Sequence, residues 1–290
     1  IEEQLCEIFA KILNKNKAKI SIYDDFFKLG GDSISSIRLV SQVKKELALA
    51  ITIKDVFLYR SIAKLYEFYL SHKNTNITNH EILAEQGVLT GELGLLPVQQ
   101  WFFSTQWENI NYFNHAFLIK VPALDLDILQ KAINQLLQYH DVLRIKYFLK
   151  SNGASYVPYY ADMSTIKLKY MNIAEINTTN TILEETLSLW QSDFDIINGP
   201  LCSFGYVNGY ADNSARIHIA IHHLLIDTIS WGNLTNDLKL IYQAMSTQTI
   251  PQLTPKGTSY RQWVSMVQQY KDKNLLEKKY WQKIVNDYNK

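Results

Sequence analysis

The chain has few cysteines and lacks the long apolar run of a membrane-spanning segment. Its two cysteines, Cys6 and Cys202, are far apart and lie in no metal-binding or redox spacing. Two isolated thiols favour a reducing compartment over a disulfide scaffold. The N-terminal segment is acidic and amphipathic, which is not typical of a signal peptide. We therefore expect a soluble, cytoplasmic protein with no membrane partner.

The chain also has little net charge. Its 290 residues carry 29 basic and 28 acidic side chains, for a formal net charge of +1. Such a balance provides no strong field to attract nucleic acid or an anionic membrane. Lysine far outnumbers arginine, which disfavours recognition of phosphates or bases by paired hydrogen bonds. We predict no nucleic-acid partner. The length itself favours about two domains.

Residues 1–71 predict a small helical domain. Apolar residues recur at helical spacing in three segments, which are 2–13, 33–48 and 61–70. A short turn is predicted at 54–59, between the second and third of these segments. A unit of this size suits a four-helix bundle. The polar stretch 72–86 lacks hydrophobic periodicity and predicts a linker.

Residues 87–290 predict a second domain in which strands and helices are interleaved. Runs rich in β-branched and aromatic residues predict strands at 111–121, 142–149, 201–208 and 215–222. Helical spacing of apolar residues recurs at 126–140, 178–191, 230–245, 259–271 and 275–287. This order is typical of an α/β or α+β sandwich.

The stretch DDFFKLGGDSISSIRLV, at 24–40, places Ser33 where a glycine pair ends and a helix begins. The glycines leave the approach to Ser33 uncrowded, and the first N–H groups of a helix favour a phosphate. No general base is visible nearby, so Ser33 is better suited to accept a phosphorylated group from another enzyme than to act as a nucleophile. The alternative is an ordinary serine cap of the helix.

A second stretch, IHIAIHHLLIDTISW at 217–231, combines histidines with an apolar strand pattern. The alternation places three isoleucines on one face, with His218 and His222 on the other. His223 continues the isoleucine face at the exit of the strand.

Three interpretations of this stretch compete. A metal site could use His218, His222 and Asp227, but two ligands on one strand face and a third beyond a turn make loose geometry. His222 and Asp227 could instead be structural, with Arg144 as the cation that a buried Asp227 requires. His223 could transfer protons, because histidine titrates nearest neutral pH. We favour the second and third interpretations together and predict no metal.

The glycine-serine stretch resembles the peptidyl carrier (thiolation) domain of nonribosomal peptide synthetases. DDFFKLGGDSI followed by RLVSQVKKEL carries this resemblance, which covers residues 1–71. It implies that a phosphopantetheinyl transferase attaches 4′-phosphopantetheine to Ser33, and that the arm holds an aminoacyl or peptidyl thioester. It also implies an upstream adenylation domain as a partner. Asp32 before the serine is similar to carriers that precede an epimerization domain.

The stretch HHLLIDTISW resembles the HHxxxDxxSW signature of the epimerization domain, a member of the condensation-domain superfamily. Thr228 replaces the glycine of ordinary condensation domains, and Ser230 with Trp231 forms the epimerization variant. Further family-like segments occur in order over 87–290, namely GELGLLPVQQWFF, HDVLRIKY, FDIINGPL and PKGTSYRQWV. The resemblance implies a chloramphenicol-acetyltransferase-like fold. It also implies a catalytic His223 in a tunnel and an Asp227–Arg144 pair that supports it.

The implied reaction converts an L-residue on the carrier to its D-form by removing and returning the α-proton. A glutamate from a second lobe is the other proton-transfer group in the family, and the 290 residues resemble only the first lobe. We therefore expect this chain to be inactive alone and to expose apolar surface where a second lobe docks. A downstream condensation domain is a further expected partner. The alternatives are a condensation domain that forms peptide bonds and a non-catalytic module that docks carriers.

Overall fold

The computed structural model describes residues 1–72, 83–150, 155–174 and 180–288. The chain divides into two compact units, residues 1–81 and 82–290. Most of the predicted linker at 72–86 lies outside the described residues, so its conformation stays a prediction. Within the described ranges, no helix is long and apolar enough to cross a membrane.

Within its described residues, the first unit is built from four helices and one short 3₁₀ turn. These elements are α1 (Glu2–Leu13), the 3₁₀ turn (Lys17–Lys19), α2 (Ser33–Leu47), α3 (Ile53–Tyr59) and α4 (Ile62–His72). The apolar faces of the helices meet around Phe9 and Phe26, whose rings pack edge to face with their centroids 5.2 Å apart. Both rings are buried. The four helices thus enclose a single hydrophobic core.

The turn predicted at 54–59 is wrong, because this segment is the helix α3. Two reciprocal hydrogen bonds start it. The Asp55 carboxylate accepts from the Thr52 N–H at 2.7 Å, and the Thr52 hydroxyl accepts from the Asp55 N–H at 3.3 Å. Such a capping box satisfies N–H groups that otherwise lack partners at a helix start. Val56, which is fully buried, then fixes the helix to the core.

The second unit contains seven strands and six helices within the described residues. The strands are β1 (Gly91–Glu92), β2 (Asn114–Pro122), β3 (Ile145–Leu149), β4 (Tyr156–Tyr160), β5 (Lys169–Asn172), β6 (Cys202–Asn208) and β7 (Ser214–His222). The helices are α5 (Pro97–Ser104), α6 (Leu126–Tyr139), α7 (Asn180–Trp190), α8 (Thr228–Ser246), α9 (Tyr260–Lys273) and α10 (Leu275–Tyr288). A 3₁₀ turn at Asp141–Arg144 leads into β3.

The strands form two sheets. The smaller has the order β1-β4-β3, and the larger has the order β2-β7-β6-β5. In the larger sheet β7 runs antiparallel to both β2 and β6, and His115 lies opposite Ile221. Residues that lie opposite each other in an antiparallel pair share one face of the sheet. The odd-numbered residues of β2 therefore lie on the same face as Ile217, Ile219 and Ile221.

Helix α10 exposes many large apolar side chains and has no buried residue. Leu276 is 86% exposed, Trp281 58% and Val285 55%. The apolar face of this amphipathic helix is therefore not buried by other described residues.

Candidate functional site

Ser33 is the exposed first residue of α2, but it is not the cap of that helix. Asp32 caps it, because its carboxylate accepts from the Ser35 N–H at 2.7 Å. The Ser35 hydroxyl in turn accepts from the Asp32 N–H at 2.6 Å. The Ser35 N–H and the Ser35 hydroxyl both donate to the Asp32 carboxylate and hold its pKa below the ordinary value. In the part of the chain that the structure describes, the Ser33 hydroxyl makes no hydrogen bond and stands open to solvent.

The glycine pair before Ser33 is required by the local backbone. Gly30 has φ of +103°, in the left-handed region where side chains are strained. A Cβ at Gly31 would lie 2.3 Å from the buried ring of Phe26 and 2.7 Å from its carbonyl oxygen. The loop therefore packs directly on the core and presents Ser33 at the helix N-terminus. An exposed hydroxyl beside free helical N–H groups fits a phosphodiester at this position.

His222 is fully buried at the end of β7 and has a structural role. Its Nδ1 accepts from the Leu224 N–H at 3.2 Å, so Nε2 carries the proton and donates to the Ile110 carbonyl at 3.0 Å. Burial lowers the pKa of His222 to about 4. The ring is therefore neutral near pH 7 and pins the turn that follows the strand.

His223 is half-buried and presents an available ring nitrogen. Its Nδ1 lies 2.8 Å from the Ile226 carbonyl, to which it donates. This bond fixes the tautomer and leaves Nε2 as a hydrogen-bond acceptor, with no partner among the described residues. The His223 N–H also donates to the Phe113 carbonyl at 2.7 Å, which extends the pairing of β7 with β2. An oriented ring with a free acceptor nitrogen is what proton transfer requires.

The expected pair of Asp227 and Arg144 is wrong. Asp227 is exposed and caps α8, because its carboxylate accepts from the Ser230 N–H at 2.7 Å. Arg144 is buried and binds the Asp141 carboxylate at 2.5 Å, three residues away in the same 3₁₀ turn. It also donates to the carbonyl groups of Leu137, Ala161 and Leu89. Since Asp227 is not buried, it needs no cation, and no ion pair joins Arg144 to the histidine stretch in the described ranges.

Trp231 seats the start of α8 on β2. Its indole packs edge to face on Phe117, with the ring centroids 4.7 Å apart. Trp231 is 7% exposed, and its Nε1 has no hydrogen-bond partner among the described residues. Ser230 contributes its backbone N–H to the cap of the same helix. The Ser230-Trp231 pair therefore fixes the helix beside the histidine stretch.

His218 packs inside the second unit and does not join His223. Its ring lies 5.9 Å from that of Trp190, and burial lowers its pKa to about 4. Among the described residues, no group of three histidine, cysteine, aspartate or glutamate side chains could hold a metal ion. His218 therefore packs beneath α7, on the face of the sheet opposite to His223.

The structure adds two aromatic residues that the sequence analysis missed. The ring of His115 lies 3.8 Å from that of His223, with an angle of 33° between them. The ring of Phe113 lies 5.3 Å from His223 at 31°. His115 lies in β2 and Phe113 immediately precedes that strand. Both share one face of the sheet with Phe117. Alternation in NYFNHAF could have placed them on one face, but only the register of β2 with β7 brings them to His223.

Comparison with protein families assigns both units. Residues 90–290 match the condensation domain, and residues 3–69 match the phosphopantetheine attachment site. The chain belongs to the condensation-domain family. In it a carrier domain, with covalent 4′-phosphopantetheine as its cofactor, precedes the condensation-type domain, as in nonribosomal peptide synthetases. The predicted α+β fold, with a helical carrier before a condensation-like lobe, is confirmed.

A similar synthase agrees with this assignment. The chain is 38% identical over 288 residues to N-(5-amino-5-carboxypentanoyl)-L-cysteinyl-D-valine synthase of Penicillium rubens, covering 98% of this chain and 7% of the synthase. It therefore spans only a small part of that relative's length.

Solved structures show the same fold. The epimerization domain from the third module of tyrocidine synthetase B superposes with a TM-score of 0.64 at 26% identity, over 70% of this chain and 46% of that one. The starter condensation domain of rhizomide synthetase gives 0.57 at 15% identity, over 67% and 48%. The second likeness shows the fold alone.

Proposed function

We propose that this condensation-type domain epimerizes an aminoacyl or peptidyl thioester held on the carrier. The observation that carries the proposal is the 26% identity to an epimerization domain, against 15% to a starter condensation domain. The Ser230-Trp231 pair, seated on β2, and Asp32 before Ser33 support the same choice. The substrate would be an L-residue and the product its D-form.

Ser33 is the proposed site of the 4′-phosphopantetheine. It is exposed, begins α2 and has an uncommitted hydroxyl, because Asp32 provides the cap. A phosphopantetheinyl transferase would attach the arm, and an adenylation domain would load it. When bound, the arm supplies a thioester, which acidifies the α C–H of the residue that it carries.

His223 is the proposed proton-transfer residue. With Nδ1 held by the Ile226 carbonyl, Nε2 is the atom that can accept or donate a proton. Epimerization breaks the Cα–H bond, leaves its electron pair on the substrate and forms a new Cα–H bond on the opposite face. Atoms and electrons balance without an oxidant or a reductant. A second group must serve the opposite face, and in the family this is a glutamate of the second lobe.

The second candidate function is peptide-bond formation. The family match to the condensation domain favours it, and an available His223 Nε2 would also suit deprotonation of an attacking amine. The two functions differ in their product. Epimerization changes the configuration of the carried residue, whereas condensation lengthens the chain and keeps that configuration.

The test measures α-proton exchange and configuration on a loaded carrier. A synthetase chain that contains these residues is loaded with an L-aminoacyl thioester in D₂O, and the released residue is analysed for deuterium and chirality. We expect a deuterated mixture of L- and D-forms, and loss of both signals in His223→Ala. Retained L-configuration without deuterium, together with a lengthened peptide, would support condensation instead.

Loading itself is tested by mass. Coenzyme A and a broad phosphopantetheinyl transferase should add one arm to the chain, and Ser33→Ala should abolish the addition. Ser41→Ala is the matched control, because Ser41 is also exposed on α2. Loss of loading in the control variant, or loading of Ser33→Ala, would contradict the assignment of Ser33.

A further inference from the structure

His223 does not stand alone on its sheet face, because its ring lies against a second imidazole. His115 approaches it from the edge strand β2, with the two centroids 3.8 Å apart. Phe113, two residues earlier, contacts the same ring. His223 is thus held on two sides, by the Ile226 carbonyl at Nδ1 and by two aromatic rings against its plane.

We propose that His115 is a positioning residue for His223: its ring packs against the His223 imidazole and orients it. This inference rests on the proposed proton-transfer role of His223. His115 makes no side-chain hydrogen bond among the described residues, so its ring contact with His223 is the interaction through which it acts.

The contact between the two rings also affects the charge of His115. Burial lowers the pKa of His115, and the positive charge of a protonated His223 lowers it further. Two cations this close repel each other, so a charge on His223 disfavours one on His115.

Other titratable groups also lie near the pair. Burial lowers the pKa of His222 to about 4, so that ring stays neutral. Cys202 and His115 lie opposite Ile221 from the two strands that flank β7. Burial raises the pKa of the Cys202 thiol to about 12. Partial desolvation raises the pKa of Asp227, but hydrogen bonds from Ser230 and the charge of His223 together hold it below the ordinary value.

The first test follows the imidazole signals of the full 290-residue chain by NMR during a pH titration. We expect the pKa of His115 to lie below the ordinary value for histidine. In His223→Phe a ring remains but its charge is lost, so the pKa of His115 should rise. An unchanged pKa of His115 in His223→Phe would contradict the ring contact on which the positioning role rests.

The second test measures α-proton exchange in a loaded synthetase chain that contains these residues. His115→Phe keeps a neutral ring and should retain most of the rate. His115→Ala removes the ring and should lower kcat roughly 10- to 100-fold with little change in KM, because small displacements of a catalytic group have effects of this size. Leu118→Ala, on the opposite face of β2, is the matched control and should leave the rate unchanged.

The outcomes separate this inference from the proposed function. If the wild-type chain exchanges no α-proton, the proposed epimerization fails, while the NMR titration still decides whether the His115 ring lies against His223. If the wild type exchanges and His115→Ala does so at the same rate, the positioning role of His115 is refuted and the epimerization proposal stands.

Discussion

Neutralising Asp141 should strongly destabilise the second unit. This carboxylate is 8% exposed and accepts from three donors, namely the Leu89 N–H at 2.9 Å, Arg144 at 2.5 Å and Lys256 at 2.6 Å. Asp141→Asn keeps the shape but removes the charge. Arg144, whose side chain is 3% exposed, would then have no counterion among the described residues.

The magnitude follows from the cost of an uncompensated buried charge. Removing one partner of a buried ion pair typically costs about 3–5 kcal/mol. With an m-value of about 2–3 kcal/mol per M urea, the unfolding midpoint should fall by roughly 1–2.5 M. Tryptophan fluorescence reports this transition selectively, because all six tryptophans lie between Trp101 and Trp281 and none lies in the carrier unit.

A surface ion pair in the same unit provides the matched control. The Lys120 Nζ and the Asp212 carboxylate lie 2.7 Å apart, close to the separations in the buried pairs, but their side chains are 62% and 49% exposed. Exposed pairs contribute little, since solvent screens them. Asp212→Asn should therefore leave the midpoint close to that of the wild type. A midpoint for Asp141→Asn that matches this control would refute the reasoning that burial makes the Asp141 charge essential.

Two further predictions concern stability. His218 and His222 have pKa values of about 4 in the folded chain, below the ordinary value of 6.5, so the unfolded chain binds more protons between these pH values. The contribution of the two neutral histidines to the stability of the second unit is thus fully present above pH 6.5, and it falls by roughly 3 kcal/mol per histidine as the pH drops to 4. Urea unfolding at both pH values should show this loss, and His218→Phe should reduce it by about half. Gly31→Ala forces a methyl group against Phe26 and should destabilise the carrier unit by about 1–3 kcal/mol, measured by circular dichroism; an unchanged thermal midpoint would contradict the overlap.

Much of the fold could be predicted from local patterns. Strong periodicity placed the long helices near their observed ends, as with α6, predicted at 126–140 and found at Leu126–Tyr139. The failures are short elements whose formation depends on partners distant in sequence. Strand β5 has four residues and is stabilised by parallel pairing with β6. Helix α3 depends on its capping box more than on periodicity.

The site was predictable to the extent that its residues are adjacent in sequence. His222 and His223 occupy opposite faces as the alternation indicated, and their different surroundings explain why one is structural and the other available. The assignment of Arg144 to Asp227 failed because it assumed a buried Asp227. A residue five positions beyond a buried strand can equally be an exposed helix cap, and the competing partner Asp141 was three residues from Arg144.

The contact between His115 and His223 could not be predicted from either stretch alone. It requires two strands about 100 residues apart to pair in one register, with His115 opposite Ile221. A shift of one residue would move His115 to the other face of the sheet and away from His223. Alternation fixes which residues of a strand share a face, whereas tertiary packing fixes which strands meet and where. A site that depends on this register therefore becomes visible only in the folded chain, and variants of His115 test the register and the chemistry together.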